Sequence, residues 1–306
     1  MKIFFVILHY GGLSNTQKCL DSLCNMNHVK DAEAEILVVD NASPEPFAFS
    51  DNDCKLGRTH LLTNKENLGY SGGMNSGIRY ALDHKADYVV VVNNDTEFDK
   101  EFLRVIVKRL QVDSESGIIV PKIYFYKGSE YHHDRYSEKE RGRVIWYAGG
   151  MIDWKNVIAS HRGVDEVDTG QYDSFRQTDF ATGCCMVLRK ELIEKIGMFD
   201  DSYYLYYEDI DLSMRVKKAG LVVGFEPSAV LWHKNAKSAG GAGSPLQDYY
   251  ISRNRLLFGF RYAPFRARVA MLSESLRTMF SGRDWQKRGI LDFYLGKFGK
   301  GSFRIS

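Results

Sequence analysis

Three carboxylic acids fall within four residues of one another, directly after an aromatic run. They are Glu208, Asp209 and Asp211. Negative charge is stabilised at the first turn of a helix, so this pattern predicts that the acids begin one. Asp211 and Arg215 are four residues apart and can pair along that helix, which leaves Glu208 and Asp209 available for chemistry. A carboxylic acid held against aromatic side chains can acquire the raised pKa of a general base.

A second polar group follows the most apolar predicted strand, residues 88–92. Asn93, Asn94 and Asp95 place amide and carboxylate oxygens at the end of that strand. These oxygens suit a hard divalent cation that also binds phosphate, although an ordinary polar turn is the alternative. A later predicted strand ends at His233, about one connection after the acidic helix. A single histidine is usually structural, but this position makes His233 a candidate for the same site.

Residues 69–77 are rich in glycine and should begin a helix that continues to Leu82. The glycines do not form the dinucleotide-binding pattern, and the phosphate-binding pattern that ends in Lys-Ser or Lys-Thr is absent from the sequence. Glycine at a helix start permits close backbone approach to a phosphate, and it equally permits tight packing of the helix on a sheet. Both interpretations are open at this point.

The elements that must position these residues alternate between strands and helices. Over the first 100 residues the pattern predicts the order β-α-β-β-α-β, which is the beginning of an α/β protein with a parallel sheet. Ligands of such sheets gather at the carboxyl ends of the strands. Tyr10, Asp40, Asn67 and Asp95 all occupy positions of that kind.

The net charge of +2 over 306 residues conceals two regions of opposite sign. Residues 248–306 contain 12 basic and 4 acidic residues, whereas residues 1–247 contain 29 basic and 35 acidic ones. After Pro264, Val269, Leu272, Leu276 and Met279 recur at helical spacing among arginines. This pattern is typical of a helix at a membrane surface and equally of a helix that covers the main domain. Nucleic acid is not expected as a partner, because no nucleic-acid motif is present.

Other classes of protein are excluded or disfavoured by composition. With 44% apolar and 26% charged residues the chain is globular rather than disordered, and no apolar run is long enough to span a bilayer. The apolar stretch Ile3 to Leu8 is too short for a secretion signal. The five cysteines are odd in number and lack metal-ligand spacing, so we expect a reduced, cytoplasmic protein.

Taken together, these segments resemble glycosyltransferase family 2, whose fold is GT-A, over residues 3 to 262. The order and spacing of the segments make the resemblance specific. They are residues 7–10 (ILHY), 38–43 (VVDNAS), 64–77 (NKENLGYSGGMNSG), 92–96 (VNNDT), 182–184 (TGC), 197–200 (GMFD), 206–215 (YYEDIDLSMR), 227–233 (PSAVLWH) and 249–254 (YYISRN).

Within that family, residues 206–212 and Arg253-Asn254 resemble the bacterial rhamnosyltransferase-like branch, which builds cell-surface polysaccharides. The resemblance implies inverting transfer of a sugar from a nucleoside diphosphate donor to a hydroxyl of a glycan or lipid-linked acceptor. Thymidine diphosphate rhamnose is the first expectation for the donor, with uridine diphosphate galactose, glucose or N-acetylglucosamine behind it.

The resemblance also implies roles for individual residues. Asp209 matches the base position, with Glu208 assisting it, and Asp95 and His233 match ligands of Mn²⁺ or Mg²⁺. The remaining predicted contacts to the donor are Tyr10, Asp40, Asn67, Gly69, Asn93 and Asp95. Asn93 stands where the family usually has an acid, which implies weaker binding of the metal or contact through water. Gly11 stands where asparagine is usual.

The expected organisation is a GT-A catalytic domain over residues 1–245 and a basic amphipathic helical tail over residues 246–306. The catalytic domain divides into a nucleotide-binding half, 1–100, and an acceptor half, 101–245. The tail would hold the enzyme against the inner face of the cell membrane. A homodimer is compatible with the sequence, which does not determine the oligomeric state.

Two other functions are compatible with parts of this pattern. A nucleotidyltransferase on a related α/β sheet would also use a metal and a nucleotide, but it accounts less well for Glu208-Asp209 and Trp232-His233. A catalytically silent module that binds nucleotide sugars or glycans would not need Asp95, Asp209 and His233 together. Hydrolysis of the donor with and without EDTA distinguishes the silent module from an enzyme.

Overall fold

The computed structural model describes residues 1–49, 54–234 and 243–304. The strands are β1 (Lys2–His9), β2 (Glu33–Asp40), β3 (Thr59–Thr63), β4 (Tyr88–Asn93), β5 (Thr96–Phe98), β6 (Ser116–Phe125), β7 (Ile145–Tyr147), β8 (Gly150–Asp153), β9 (Ile158–His161), β10 (Arg176–Gln177), β11 (Cys185–Arg189) and β12 (Val222–His233). The helices are α1 (Leu13–Cys24), α2 (Gly69–Asp83), α3 (Phe102–Val112), α4 (Lys190–Ile196), α5 (Glu208–Lys218), α6 (Pro245–Tyr262), α7 (Phe265–Ser281) and α8 (Asp284–Tyr294).

Most of the strands form one mixed sheet with the order β10-β12-β6-β11-β4-β1-β2-β3. Strand β1 pairs in parallel with both β2 and β4, and β2 pairs in parallel with β3. The predicted order β-α-β-β-α-β and the α/β class are therefore confirmed. Strand β11 runs antiparallel between β4 and β6, and β12 runs parallel to β6. Strands β1, β2 and β4 are buried along most of their length and contain continuous apolar runs for that reason, whereas β3 at the edge is partly exposed.

Helix α2 lies very close to the sheet because glycines face it. A Cβ atom on Gly77 would come within 2.3 Å of Val6 Cγ1, and one on Gly73 within 2.6 Å of Leu8 Cδ1. Real Cβ atoms do not approach that closely, so any larger residue would push the helix off the sheet. Of the two interpretations of the glycine-rich segment, tight packing of the helix on the sheet is the one that these contacts support.

The three C-terminal helices pack against the rest of the chain rather than extending from it. Phe258 of α6 stacks on Trp154 with ring centroids 5.9 Å apart, and Gly259 lies against Met271 of α7. The side chains of Ser275 on α7 and Tyr294 on α8 are hydrogen-bonded at 2.6 Å. Helix α6 thus covers the main domain, as one of the two interpretations of the tail expects. Among the described residues, no helix combines the length and apolar composition needed to cross a bilayer.

One expectation about the cysteines is wrong. Cys24 at the end of α1 and Cys54 in the loop after β2 are joined by a disulfide, while Cys19, Cys184 and Cys185 are free and buried. The two bonded residues are 30 positions apart, and their Cα atoms lie 4.7 Å from each other only because α1 and the loop after β2 fold together. Sequence spacing carried no signal of that approach.

Candidate active site

Hydrogen bonds join the loops at the carboxyl ends of β1, β2 and β4. The Gly11 amide donates to Ser43 Oγ at 2.9 Å, and Asn94 Nδ2 donates to the Gly11 carbonyl oxygen at 3.0 Å. Open α/β sheets bind their ligands at these strand ends, so the three loops form one continuous candidate surface. Tyr10 lies on it with 48% of its surface exposed.

Asp40, the last residue of β2, is buried and fixes the loop that follows the strand. Its Oδ1 accepts a hydrogen bond from the Ser43 amide at 2.8 Å, and its Oδ2 accepts one from the Phe47 amide at 2.8 Å. Each carboxylate oxygen has a second lone pair, so Asp40 can still accept a hydrogen bond from a ligand. The loop is thereby preorganised around the carboxylate that we predict to contact the donor.

Asn41 connects the predicted contacts Asn67 and Gly69 to the end of β2. Its Nδ2 donates to Asn67 Oδ1 at 3.1 Å and to the Gly69 carbonyl oxygen at 3.0 Å, while its Oδ1 accepts from Asn64 Nδ2 at 3.0 Å. Asn41 is itself buried, so these bonds replace the water that its amide would otherwise need. No role was predicted for Asn41 from the sequence, although the two asparagines that follow β3 were a signal of such a cluster.

The first backbone amides of α2 are bound by protein. The amides of Tyr70 and Ser71 donate to the carbonyl oxygen of Tyr204 at 2.7 and 3.2 Å. Gly69, just before them, has φ of +72°, and a Cβ there would lie 2.5 Å from the Tyr204 ring. The start of α2 therefore holds the aromatic segment that precedes Glu208, and these two amides are already occupied.

Asp95 and His233 meet at the other side of the candidate surface. Asp95 Oδ1 lies 3.1 Å from His233 Nε2, and both side chains are nearly buried. The contact arises because β5 pairs antiparallel with the end of β12, so that His233 is opposite Thr96. The predicted proximity of these two residues is thus present in the structure. Asn93 is the last residue of β4, next to them, and its amide donates to the Cys184 carbonyl oxygen at 2.9 Å.

Trp146, for which no role was predicted from the sequence, packs between His233 and His161. The ring of Trp146 lies with its centroid 4.5 Å from that of His233 and 4.4 Å from that of His161. Burial lowers the pKa of His161 to about 4, so its ring is neutral and its Nδ1–H can donate to the Trp146 carbonyl oxygen at 3.1 Å. The Trp146 ring therefore limits the orientations available to His233, and His161 in turn holds Trp146.

The side chains present fit a metal ion held jointly by protein and ligand. Among the described residues, no three His, Cys, Asp or Glu side chains cluster closely enough to hold a metal. Asp95 and His233 supply an oxygen and a nitrogen, and His233 Nδ1 is buried with no hydrogen-bond partner in the described part of the chain. A cation such as Mn²⁺ or Mg²⁺ commonly takes its remaining positions from water and from phosphates of a bound substrate.

Glu208 and Asp209 begin α5, as predicted, and lie at the same edge of the sheet as Asp95. Asp209 Oδ2 accepts a hydrogen bond from the Gly183 amide at 2.9 Å. Gly183 is followed by Cys184, whose carbonyl oxygen binds the amide of Asn93. One short loop thus connects the acid pair to the end of β4. The Tyr70 hydroxyl also donates to the Gly183 carbonyl oxygen, which fixes the loop from the opposite side.

The two acids have different environments. Burial raises the pKa of Glu208 well above its ordinary value, and the charges of Asp209 and Asp211 raise it further. Its Oε2 is buried without a hydrogen-bond partner among the described residues. Burial also raises the pKa of Asp209, but amide hydrogen bonds from Gly183 and Ile210 act in the opposite direction. The neighbouring charges therefore favour the protonated form of Glu208, whereas the two amide hydrogen bonds favour the anionic form of Asp209.

The segment that leads into the acid pair has an uncommon backbone conformation. Tyr204, Tyr206 and Tyr207 have φ of 64°, 68° and 74°, in the left-handed region that side chains disfavour. Such positions cost about 1–3 kcal/mol each and persist only where surrounding contacts enforce them. They occur here directly before Glu208, so the contacts that hold residues 202–207 also set the direction of the acid pair.

Helix α6 supplies those contacts through Arg253 and Asn254, both fully buried. Asn254 Nδ2 donates to the carbonyl oxygens of Tyr203, Leu205 and Tyr206 at 2.9, 2.8 and 2.8 Å. The Arg253 guanidinium donates to the carbonyl oxygen of Tyr203 at 2.9 Å and to that of Gly299 at 2.7 Å. By sequence Arg253 is one of the basic residues of the tail, whereas in the structure it lies inside the protein.

We expect Glu208→Gln to stabilise the protein, and to do so more as the pH rises. Because the folded state keeps the Glu208 proton above the ordinary pKa of 4.5, the wild type loses stability as pH rises between that value and the raised pKa. Within this window the loss is about 1.4 kcal/mol per pH unit, and glutamine removes it. Thermal unfolding at about pH 4 and about pH 8 measures the effect.

The same substitution at the exposed Glu194 of α4 is the matched control. A gain in melting temperature for Glu208→Gln that did not change with pH would contradict the assignment of a buried, protonated Glu208.

The sequence matches a family model described as glycosyl transferase family 2 over residues 4–197. The chain is 29% identical over 225 residues to the low-salt glycan biosynthesis hexosyltransferase Agl10 of Haloferax volcanii, an alignment that covers 73% of this chain and 66% of that protein. It is 22% identical over 241 residues to the dTDP-rhamnosyl transferase RfbF of Shigella flexneri, with 76% and 73% covered.

A third relative is the N-acetylglucosaminyl-diphospho-decaprenol L-rhamnosyltransferase of Mycobacterium tuberculosis, 24% identical over 229 residues, with 71% of this chain and 72% of that protein covered. Because the alignment spans just under two thirds of the Haloferax protein, the activity of that whole protein does not transfer directly to this chain.

Solved structures with the same fold include GalNAc-T7 with UDP, GalNAc and Mn²⁺, at a TM-score of 0.56 and 14% identity, covering 91% of this chain and 58% of that one. The mannosyltransferase PcManGT of Pyrobaculum calidifontis with GDP-Man and Mn²⁺ matches at a TM-score of 0.53 and 16% identity, covering 98% and 76%. At these identities the likeness shows the fold alone, which is GT-A. The family match, the relatives and the fold agree, and the chain therefore belongs to glycosyl transferase family 2 and is a glycosyltransferase.

Proposed function

We propose that this enzyme is inverting and metal-dependent, and that it transfers L-rhamnose from thymidine diphosphate rhamnose to a hydroxyl of a lipid-linked or polysaccharide acceptor in bacterial cell-surface glycan synthesis. The observation that carries the proposal is the loop 182–184, which connects Asp209 to the end of β4, next to Asp95 and His233. In the proposed mechanism the base and the diphosphate therefore lie at one edge of the sheet. The rhamnosyltransferases among the relatives support the choice of donor.

In the proposed reaction Asp209 accepts the proton of the acceptor hydroxyl. The acceptor oxygen forms a bond to the anomeric carbon from the face opposite the diphosphate, while the bond from that carbon to the diphosphate oxygen breaks. A single displacement of this kind inverts the configuration at the anomeric carbon. Protonated Glu208 donates a hydrogen bond rather than taking the proton, because its raised pKa keeps it neutral.

Asp95 and His233 would hold the divalent cation, Mn²⁺ or Mg²⁺. When bound, the cation neutralises the charge that grows on the departing diphosphate. Because Asn93 is uncharged, the protein supplies less negative charge to the metal, and the diphosphate oxygens supply more of it. Asp40, Asn67, Gly69 and Tyr10 surround the opposite end of the surface, where we place the base and ribose of the donor. Two fold neighbours are solved with a nucleotide or nucleotide sugar together with Mn²⁺, which supports this arrangement.

Thermal unfolding with a panel of nucleotide sugars tests the donor and the metal together. A ligand at about 100 times its Kd stabilises the folded state by about 2.7 kcal/mol. We expect thymidine diphosphate rhamnose with Mn²⁺ to raise the melting temperature by several degrees, and EDTA to abolish most of that shift. Asp95→Asn, which keeps the shape of the side chain, is expected to behave as the wild type does in EDTA.

Product analysis separates the alternatives. Release of pyrophosphate from a nucleoside triphosphate would indicate a nucleotidyltransferase, and binding without turnover would indicate a silent module. A melting-temperature shift that is the same with EDTA and with Mn²⁺ would contradict the metal site.

We further propose that the tail associates with the inner face of the cell membrane through α7. Phe265, Val269, Leu276 and Phe280 lie on one face of this helix with 78%, 48%, 57% and 87% of their surface exposed. Basic residues flank the apolar face, and their stems can lie along a bilayer while the charges reach the headgroups. Such a face on a lipid-using enzyme fits a lipid-linked acceptor.

We expect the triple variant Phe265→Ser, Leu276→Ser and Phe280→Ser to reduce binding to vesicles of equal phosphatidylcholine and phosphatidylglycerol at least tenfold, because each large apolar side chain contributes about 1.5–3 kcal/mol when fully buried. Co-sedimentation measures the binding. Val112→Ser removes an equally exposed apolar side chain from α3 and is the control. Helix α6 stays in every variant because it supports the active site. Vesicle binding that the triple variant retained would contradict membrane association through α7.

A further inference from the structure

A cavity of about 360 Å³ lies in the C-terminal part of the chain, away from the residues of the candidate active site. It is lined by Trp285, Arg288, Gly301, Ser302 and Arg304. These residues come from α8 and from the segment that follows it. Two of the five are cationic and one is an indole, which is a composition suited to an anionic ligand with an apolar portion.

The wall of the cavity is fixed by the packing of residues 301–303. The Ser302 amide donates to Asp292 Oδ2 at 2.8 Å, and the Ser302 hydroxyl donates to Asp292 Oδ1 at 3.0 Å. The Phe303 ring is buried with its centroid 4.9 Å from that of Trp285 and 5.4 Å from that of Tyr249. These contacts therefore hold the wall of the cavity in place where it faces α6 and α8.

The two arginines at the cavity are not paired with a carboxylate in the described part of the chain. Arg288 and Arg304 are exposed, and within the described ranges they make neither an ion pair nor a hydrogen bond. Three other arginines of the tail are paired with acids: Arg255 with Glu274, Arg261 with Asp200, and Arg283 with Asp248. Arg266 and Arg277 on α7 have no ion pair among the described residues, but they do not line the cavity. Guanidinium groups bind phosphate through parallel hydrogen bonds, so two unpaired ones at one cavity can accept such a group.

An apolar surface begins beside the cavity. Arg288, Leu291 and Leu295 are three and four residues apart, which places them on one face of α8 and its end. Leu291 and Leu295 are 45% and 56% exposed. A free phosphate ion makes no favourable contact with this apolar surface, whereas a phospholipid has both a phosphate and hydrocarbon chains. Tryptophan is also enriched where headgroups meet chains.

We propose that this cavity binds the phosphate group of an anionic membrane phospholipid. The proposal rests on the proposed association with the membrane, and adds to it a discrete site with a saturable ligand. Arg288 and Arg304 contact the phosphate, Trp285 lies at the level of the headgroup, and the lipid chains follow Leu291 and Leu295.

A soluble short-chain phosphatidic acid, used below its micelle concentration, tests the site without vesicles. We expect saturable one-to-one binding by calorimetry with a change in Trp285 fluorescence that Trp285→Phe removes. The pair Arg288→Gln and Arg304→Gln is expected to weaken binding roughly 30-fold. The pair Arg266→Gln and Arg277→Gln on α7 makes the same change in net charge, and is expected to leave the affinity for this soluble lipid unchanged.

Each other outcome overturns the proposal. Equal weakening by both pairs would indicate general electrostatic attraction, and inorganic phosphate that bound as tightly as the lipid would indicate a free anion site. Absence of saturable binding would show that the cavity has no lipid ligand. The result is independent of sugar transfer, because neither arginine lies in the active site: a lipid-binding protein without transferase activity would contradict the proposed function and leave this inference intact.

Discussion

Replacing Asp209 by Asn will lower kcat of sugar transfer by about 10²–10⁴-fold, the usual contribution of a positioned general base. The substitution keeps the size of the side chain and one acceptor oxygen, so the hydrogen bond from the Gly183 amide to this side chain can be retained. We therefore expect KM for the donor to change little. A loss confined to kcat is the signature of an interaction made in the transition state.

The neighbouring acid provides the matched control. Glu208→Gln replaces a protonated acid by a neutral group of the same shape, so we expect kcat to stay within about tenfold of the wild type. Equal losses in the two variants would show that both acids act as anions, and a fully active Asp209→Asn variant would exclude Asp209 as the base. Donor turnover with acceptor present is the measurement.

The pH profile is a second readout of the same assignment. Burial raises the pKa of Asp209, and the base works only when ionised, so activity is lost as pH falls through that raised value. The acid limb of the kcat profile is thus expected above the ordinary aspartic acid value of 3.8. Glu208→Gln should leave that limb in place, because a protonated Glu208 carries no charge that would shift the pKa of Asp209.

The sequence was sufficient to predict which strand ends carry polar residues. Asp40 ends β2, Asn93 ends β4, and His233 ends β12, each after an apolar run that could only be a buried strand. Because parallel strands present their carboxyl ends on one edge, the order of elements alone places Tyr10, Asp40 and Asp95 on the same side of the sheet. The approach of His233 to Asp95 also followed from the family resemblance.

The sequence was not sufficient to predict contacts between residues that are distant in the chain. Trp146 reaches His233 only because β7 pairs with β6, beside which β12 lies in parallel. Cys24 meets Cys54 through the fold of a loop. The glycine-rich segment could not be assigned either, since phosphate binding and close helix packing require the same small residue, and only the distances from Gly73 and Gly77 to the sheet distinguish them.

Arg253 and Asn254 are the clearest example of long-range contacts that could not be predicted from the sequence. By position they belong to the basic tail, and by helical spacing they could face solvent, a bilayer or protein. Both are fully buried against residues 202–207, about 50 positions earlier in the chain. The adjacent Arg-Asn pair contributed to the family resemblance. Its function in donating hydrogen bonds to a strained loop could be seen only from the fold.

Replacing Asn254 by Leu will destabilise the protein and reduce its activity through the position of the acid pair. Leucine has a similar shape but leaves the carbonyl oxygens of Leu205 and Tyr206 without their donor, while that of Tyr203 keeps only its hydrogen bond from Arg253. An unsatisfied buried polar group costs about 1–3 kcal/mol, so we expect the free energy of unfolding to fall by about 2–4 kcal/mol. Ile251→Ser, at an exposed position on α6, should change it by less than about 0.5 kcal/mol.

The effect on catalysis distinguishes a positioning residue from a merely structural one. Without Asn254, Tyr206 and Tyr207 can relax from positive φ, and the start of α5 turns with them. At a temperature where the variant is folded, we expect kcat to fall at least tenfold, since small displacements of a base are costly. Greater access of water to Asp209 should also move the acid limb of the pH profile toward 3.8, because burial is the main cause of the raised pKa. If the acid limb of the pH profile and kcat were both unchanged in the folded variant, Asn254 would contribute only to stability. The strained segment would then not set the geometry of the base.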